Sequence, residues 1–333
     1  MKKWFALARA LRRNGVLGIN WRNAEYTLVH NPRDRYPLVD DKALTKQLAA
    51  KAGVAVPELY GMIEIQQQVG KLPQMLKDHW DFVVKPARGS QGDGIVVVTG
   101  RSRTLYRTAD GNLLDEDEMC FHVSNILSGI HSLGGQSDKA LIEYRVNFDP
   151  VFEAITYRGV PDVRIIVFLG VPVMAMVRLP TRVSGGKANL HQGAIGTGVN
   201  MATGETLTAV WGTEIVAEHP DTGSPVSGVQ IPKWEILLEI AARSYELTGL
   251  GYQGIDIVLD RNKGPLILEL NARPGLAIQI ANQSGLNTRL ARVEQERHKL
   301  KSVADRVAFA RERFAHAGPI IGPASTGAKL VVN

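Results

Sequence analysis

Three oxygen-bearing side chains in the last third of the chain, Asp256, Glu269 and Asn271, have the types and spacing to hold a metal ion. Asp256 lies in an alternating run in which Ile255, Ile257 and Leu259 are interleaved with Asp256, Val258 and Asp260. The turn-forming stretch Arg261-Asn262-Lys263-Gly264 follows, and then a second apolar run over 266–270. The pattern predicts a β-hairpin within 251–276. Residues two apart on a strand share a face, so Glu269 and Asn271 point to one side, within reach of a carboxylate on the neighbouring strand. Hard oxygen donors suit Mg2+, which keeps several waters and bridges to substrate phosphates. The plain alternative is a hairpin whose polar residues face water. Against it stands Glu269 inside Leu266-Ile267-Leu268-Glu269-Leu270, where an unpaired carboxylate is costly.

A second group has phosphate chemistry. Residues 82–85 read as a strand ending in Lys85, followed by Pro86-Ala87-Arg88-Gly89-Ser90-Gln91-Gly92-Asp93-Gly94 and another strand over 95–98. A dinucleotide fingerprint or a P-loop would run from the glycines into a helix, and the Gly-Lys-Ser/Thr ending is missing. Gly89, Gly92 and Gly94 let backbone N–H groups close over phosphates, and Lys85 supplies a fixed positive charge. Taken alone, the segment reads first as a plain hairpin turn.

The rest of the chain must position these groups. With 333 residues, 44% hydrophobic and 22% charged, it has the composition of a folded soluble protein with one large domain or two to three subdomains. The one cysteine, Cys120, forms no internal disulfide and no Cys/His cluster has zinc spacing, so a reducing cytoplasm is the expected compartment. The opening residues make a poor signal peptide because Arg9 interrupts the apolar stretch, and no run reaches transmembrane length. Residues 1–36 hold eight Lys/Arg against two acids, and 287–316 hold eight against four, so the ends are basic and the middle is acidic. Solvated basic faces explain this, as does an anionic partner such as an acidic peptide, RNA or a membrane surface. The absence of aromatic stacking residues and of a nucleic-acid reading motif argues against nucleic acid.

In chain order, 2–13 is predicted helical, with Trp4, Phe5, Ala8 and Leu11 on one face and Arg9, Arg12 and Arg13 elsewhere. Residues 15–35 read as loop. Asp40 or Asp41 caps a helix over 41–52, with Leu44, Leu48 and Ala52 at helical spacing. Asp115-Glu116-Asp117-Glu118 opens a helical run to Ile130 as a solvated N-terminus. A strand over 140–144, a hairpin of 164–169 with 171–178, a Gly/Ser-rich loop over 181–198, a helix over 234–247 and one long basic helix over 287–316 complete the reading.

Gly254-Ile255-Asp256-Ile257 with Leu268-Glu269-Leu270-Asn271-Ala272-Arg273-Pro274-Gly275 resembles the metal-binding end of ATP-grasp ligases, especially the alpha-L-glutamate ligase-like branch related to ribosomal-protein glutamate ligases. The resemblance spans about 38–285. It implies that Asp256, Glu269 and Asn271 hold two Mg2+ ions, or Mn2+ in their place, on the phosphates of ATP. It implies that Lys85 meets the α- and β-phosphates under the glycine loop, and that Lys42, alternatively a first-turn surface lysine, nears the nucleotide. Glu143 and Tyr144 match the family's hinge at adenine and ribose. Asp162-Val163-Arg164 matches its Asp-x-Arg after an insertion, so Asp162 or Glu153 contacts the ribose. Lys187-Ala188-Asn189-Leu190-His191-Gln192-Gly193 resembles the family's Arg-Ser-Asn-Leu-His-Arg-Gly, which with Arg178 assigns Arg178, Lys187 and Asn189 to the γ-phosphate and acyl phosphate. His191 reads as ordering its loop rather than as a general base. Arg273 stands where the ribosomal-protein ligases carry serine. It reads either as binding a substrate carboxylate or as bonding a backbone carbonyl near Pro274.

The implied fold is α+β: an ATP-grasp fold of two α+β subdomains with antiparallel sheets gripping ATP. Only about forty residues stand where the family usually carries a Rossmann-like domain of about a hundred. The expected organisation is a basic segment over 1–38, an ATP-grasp domain over 39–285 with a lid-containing part (39–140) and a metal-binding part (141–285), and a basic helix and tail over 286–333. The implied reaction is ADP-forming amide synthesis through an acyl phosphate, adding glutamate or another amino acid to a carboxylate or peptide acceptor. Alternatives are the sugar-transfer-associated ATP-grasp group, whose opening looks like 23–42, and a catalytically silent nucleotide-binding scaffold. An acidic protein partner and a homodimer are the further partners expected.

Overall fold

Among the described residues, 2–89 and 92–315 of the computed structural model, thirteen strands form two antiparallel sheets, each in its own compact unit. One unit is residues 40–147. Among the described residues, the other joins 2–39 to 148–315.

In the 40–147 unit the strands are β1 (Leu59–Ile63), β2 (Phe82–Pro86), β3 (Val96–Ser102), β4 (Leu105–Thr108), β5 (Leu113–Leu114) and β6 (Ala140–Glu143), in the order β1-β6-β2-β3-β4-β5. The helix Glu116–Leu127 starts at a capping box, Asp115 accepting from the Glu118 N–H and Glu118 from the Asp115 N–H. It buries Met119, Val123, Ile126 and Leu127 against Phe82, Val84, Val98, Ala140 and Ile142. Each fully buried side chain of this kind contributes about 1.5–3 kcal/mol. The helix Lys42–Lys51 is capped by Asp41, which accepts from the N–H groups of Ala43 and Leu44. Its inward face differs from the expected one: Ala43, Lys46 and Ala49 are buried, whereas Leu44 and Ala52 are exposed.

The other sheet contains β7 (Asp162–Phe168), β8 (Val171–Leu179), β9 (Ile195–Val199), β10 (Thr206–Trp211), β11 (Glu214–Val216), β12 (Tyr252–Asp260) and β13 (Gly264–Asn271), in the order β11-β10-β9-β8-β7-β12-β13. The predicted hairpin is β12–β13. Asp260 Oδ1 accepts from the N–H groups of Asn262 and Lys263, both at 2.8 Å, and this fixes the turn. All nine residues of β12 are buried.

Three further expectations differ from the structure. Ile195–Val199 is a buried strand, not loop. Its glycines permit close packing, since a Cβ at Gly198 would stand 2.7 Å from the Ala281 carbonyl oxygen. Residues 19–30 are helical, as Ile19–Trp21, a π-helical stretch Arg22–Thr27 and Leu28–His30. The basic helix is two helices, Leu286–Glu296 and Val303–Arg313, because Ser302 and Asp305 form a capping box that starts the second. Lys2–Arg13 is helical as expected, with Leu11 half-buried; the side chains of Trp4, Phe5 and Ala8 lie outside the described residues, as does the tail beyond 315. Among the described residues no helix is long and apolar enough to cross a membrane.

Candidate functional site

A row of charges crosses the seven-stranded sheet on one face. Arg178 on β8 is the register partner of Asp162 on β7, Arg164 on β7 is the partner of Asp256 on β12, and Asp256 is the partner of Glu269 on β13. Arg178 grips Asp162 through Nε at 2.6 Å and Nη2 at 2.5 Å, and its Nη2 also reaches Asp256 Oδ2 at 2.8 Å. Arg164 grips Asp256 with Nε at 2.7 Å and Nη2 at 2.6 Å. Asn271, on the Glu269 face of β13, lies 3.4 Å from Asp256 Oδ2 through its amide nitrogen.

Burial raises a carboxylate's pKa and a nearby guanidinium lowers it. At Asp162 burial wins over Arg178, with the Asp256 charge adding to it, and the carboxyl is pushed up to about 6. At Asp256 burial is outweighed by Arg164 and Arg178, which hold it down at about 2. Burial opposes the charge on Arg178, but the two aspartates outweigh it and keep the guanidinium protonated. Asp162, matched from the sequence to the ribose, is committed to Arg178, and Glu153 pairs with the exposed Arg261 at 2.5 Å.

In the 40–147 unit Glu143 is buried between two lysines: Lys85, and Lys46 at 2.7 Å. Burial works against the Glu143 charge, and Lys85 and then Lys46 overcome it, leaving the carboxyl below its ordinary value. Lys46 is lowered by burial against the pull of Glu143, and its Nζ also donates to the Pro57 carbonyl at 2.5 Å. Tyr144 continues from Glu143, its N–H bonded to the Glu58 carbonyl at 2.8 Å. Lys42 Nζ donates to the Gly89 carbonyl at 2.7 Å, which sets it at the base of the glycine loop. Asp138 anchors the same base, accepting from the Arg88 N–H at 2.9 Å and from Ser132 Oγ at 2.5 Å. Gly92 and Gly94 take positive φ, and a Cβ at Gly94 would meet the His131 ring at 2.5 Å, so the loop requires glycine there. Ser90 and Gln91, within the expected phosphate loop, lie outside the described residues.

Lys187 is exposed on the 181–194 loop, while the Asn189 side chain accepts from the His191 N–H at 3.0 Å and caps the short turn Leu190–Gln192. Arg273 is exposed, with its guanidinium 5.0 Å from the Tyr36 ring centre. The carbonyl of Pro274 is bonded instead by Arg22, at 2.7 Å. Asn31 clamps the same end, donating to the carbonyls of Tyr252 at 2.6 Å and Ala272 at 3.0 Å. Sequence reasoning missed Lys46, Arg22 and Asn31 and did not pair Arg164 with Asp256. Only Lys46 carried a signal, a lysine in line with Ala43 and Ala49 on the inward face.

The model of sugar-transfer associated ATP-grasp proteins matches residues 21–295, which takes in both sheets and every residue of the charged row. The chain belongs to the sugar-transfer associated ATP-grasp family. An ATP-grasp origin was the expectation from the sequence, with this group second to the glutamate-ligase branch, and curated relatives carry the name of that branch. A probable alpha-L-glutamate ligase of Maridesulfovibrio salexigens is 25% identical over 236 residues, 71% of this chain and 56% of the relative. One of Pseudomonas putida strain GB-1 is 22% identical over the same length. This ATP-grasp chain thus spans a little over half the length of the curated relatives it matches. Among solved structures, D-cycloserine synthetase DcsG is similar with a TM-score of 0.45 and 14% identity, over 80% of this chain and 73% of that one. The D-alanine-D-alanine ligase of Coxiella burnetii gives a TM-score of 0.45 at 14% identity, over 84% and 60%.

Proposed function

We propose that the protein is an ATP-dependent ligase that activates a carboxylate with the γ-phosphate of ATP and joins it to an amine, an amino acid such as glutamate, with release of ADP and phosphate. The observation that carries this reading is the charged row Arg178, Asp162, Arg164, Asp256 and Glu269 on one face of the seven-stranded sheet, in a chain of an ATP-grasp family. The row brings two guanidiniums beside three carboxylates, the composition needed to meet phosphate oxygens and a divalent cation together.

The residues fit Mg2+ by their donor chemistry. Glu269 and Asn271 are half-buried oxygen donors on one face beside Asp256, whose lone pairs are largely taken by Arg164 and Arg178. In this reading Glu269 is the principal ligand, with Asp256 and Asn271 beside it. Bound there, Mg2+ supplies charge neutralisation and polarisation of the phosphoryl group. Arg178 stays charged beside its two aspartates, which take Nε and Nη2 and fix the guanidinium in place, so that its charge is preorganised to meet the transferring phosphate. Lys85, with Lys46 and Glu143, forms a cluster of net positive charge suited to the α- and β-phosphates, and Lys42 ties the glycine loop to the same strand end. Lys187 and Asn189 on the 181–194 loop meet the γ-phosphate, and Arg273 takes the carboxylate of a substrate.

Turnover tests it: the purified chain with Mg-ATP and a pool of amino acids and carboxylates should release ADP only when an amine is added. A second reading, group transfer in the sugar-transfer setting named by the family description, is favoured by that match. Amine-independent ADP with a phosphorylated alcohol would select it. ATP binding without turnover would select a nucleotide-binding scaffold and overturn both.

A further inference from the structure

The helical stretch over 19–30 is reversed in polarity. Its inward side carries Arg22, which donates to the Pro274 carbonyl, Tyr26, whose hydroxyl donates to Asn287 Oδ1 at 2.8 Å, and Thr27, all buried. Its outward side carries Ile19, Trp21, Leu28 and Val29, which are 62%, 39%, 61% and 64% exposed. A surface helix ordinarily turns its apolar stripe to the core. Here Arg22 and Tyr26 are fixed inward by their bonds, and Tyr26 also by its edge-on packing against Phe168, so the helix cannot roll to hide Leu28 and Val29. An apolar face held outward in this way marks a surface that something covers.

The surroundings of the face are cationic. Arg12 stacks over Trp21 at 5.9 Å, Arg9, Arg12 and Arg13 are exposed on the preceding helix, and Arg33 and Arg35 are exposed just after it. The sequence holds no acid before Glu25; the next, Asp34, lies 3.7 Å from Arg35. We propose that this face docks on an anionic lipid bilayer. Aliphatic side chains enter the boundary of the acyl region while arginines meet headgroup phosphates, and Trp21 has the apolar body and polar tip of an interfacial residue. Nucleic acid would use the arginines but leave Ile19, Leu28 and Val29 without a role. A second copy meeting this face across a two-fold axis would set its arginines against their own equivalents.

The test is flotation of the full chain with vesicles of phosphatidylcholine alone and of phosphatidylcholine with roughly one third phosphatidylglycerol. The protein should float with the anionic vesicles only, and roughly 1 M salt, which screens charges beyond about 3 Å, should release most of it. Leu28→Ser with Val29→Ser should weaken binding by on the order of tenfold or more. Arg12→Glu with Arg13→Glu should weaken it by roughly thirtyfold or more, from about fivefold per basic residue at the surface. All four side chains are exposed, so melting temperature should not move, and it serves as the control for folding. Failure to float with anionic vesicles, flotation unchanged in both variants, or a dimer in sedimentation that Leu28→Ser with Val29→Ser dissociates would each overturn the proposal.

Discussion

Glu143→Gln is the most informative single change in the 40–147 unit. The side chains of Lys46, Lys85 and Glu143 are 9%, 7% and 4% exposed, so three charges share a volume largely closed to water and sum to one positive charge. Removing the carboxylate leaves two buried ammonium groups facing each other, and breaking a buried pair from one side costs about 3–5 kcal/mol. Lys46→Met leaves a neutral Glu143–Lys85 pair and fills the stem with a side chain of similar length. Its main loss is the bond to the Pro57 carbonyl, about 1–2 kcal/mol. Two changes to one cluster should therefore differ in size, with the substitution that leaves a neutral pair the milder. In thermal unfolding followed by circular dichroism, Glu143→Gln should fall by about 10 °C or more, at 4–8 °C per kcal/mol for a unit of this size, and Lys46→Met by less than half as much. Equal losses, or a larger loss in Lys46→Met, would refute the view that Glu143 is the counter-charge of both lysines.

Other outcomes follow from the same geometry. Because the Glu143 carboxyl titrates below its ordinary 4.5, the folded form binds fewer protons than the unfolded; the stability it lends is full above about pH 4.5 and is lost on acidification, so the gap in melting temperature between the native protein and Glu143→Gln should narrow as pH falls below that value. Glu269→Gln should reduce turnover by roughly a hundredfold or more with melting temperature unchanged; near-normal turnover would remove β12–β13 from the chemistry. Arg273→Lys should raise KM for the carboxylate or amino-acid substrate and leave ATP affinity unaltered, whereas loss of folding would assign Arg273 to its contact with Tyr36. Gly94→Ala, forced to positive φ against the His131 ring, should speed amide exchange through the glycine loop, and unchanged exchange would contradict the packing described.

The hairpin of β12 and β13 was legible because alternation, turn chemistry and an acid within an apolar run all point one way. The pairing of Asp256 with Glu269 was not, because the register set at the turn would place Asp256 opposite Leu268 and an irregularity between Asp256 and Ile257 shifts it by one residue. The helix after Asp115 was legible from the acids of its first turn. The 19–30 helix was not, because helix recognition looks for apolar residues on one face and this one buries Arg22 and Tyr26 through long-range bonds. The strand Ile195–Val199 was hidden by glycines that local propensity reads as loop, where the deciding fact is the approach of Ala281 and Asn282. Lys46 escaped notice since a lysine stem can pass as surface until a buried carboxylate is found opposite its tip.

The bonds that hold the N-terminal stretch have a consequence for the order of events during synthesis. Leu17 is paired with Gln279 across 262 residues, and Asn31 with Tyr252 across 221. At roughly 5–20 residues per second, the ribosome delivers these partners about ten to fifty seconds after the N-terminal residues emerge. Residues 40–147 are complete long before then and can fold as a unit, while Arg22, Tyr26 and Asn31 wait in water for carbonyls and side chains not yet made. The 15–31 stretch therefore docks only after residues 252–279 have been made, and a nascent chain stalled before residue 252 would carry a finished first unit behind an undocked N-terminal stretch.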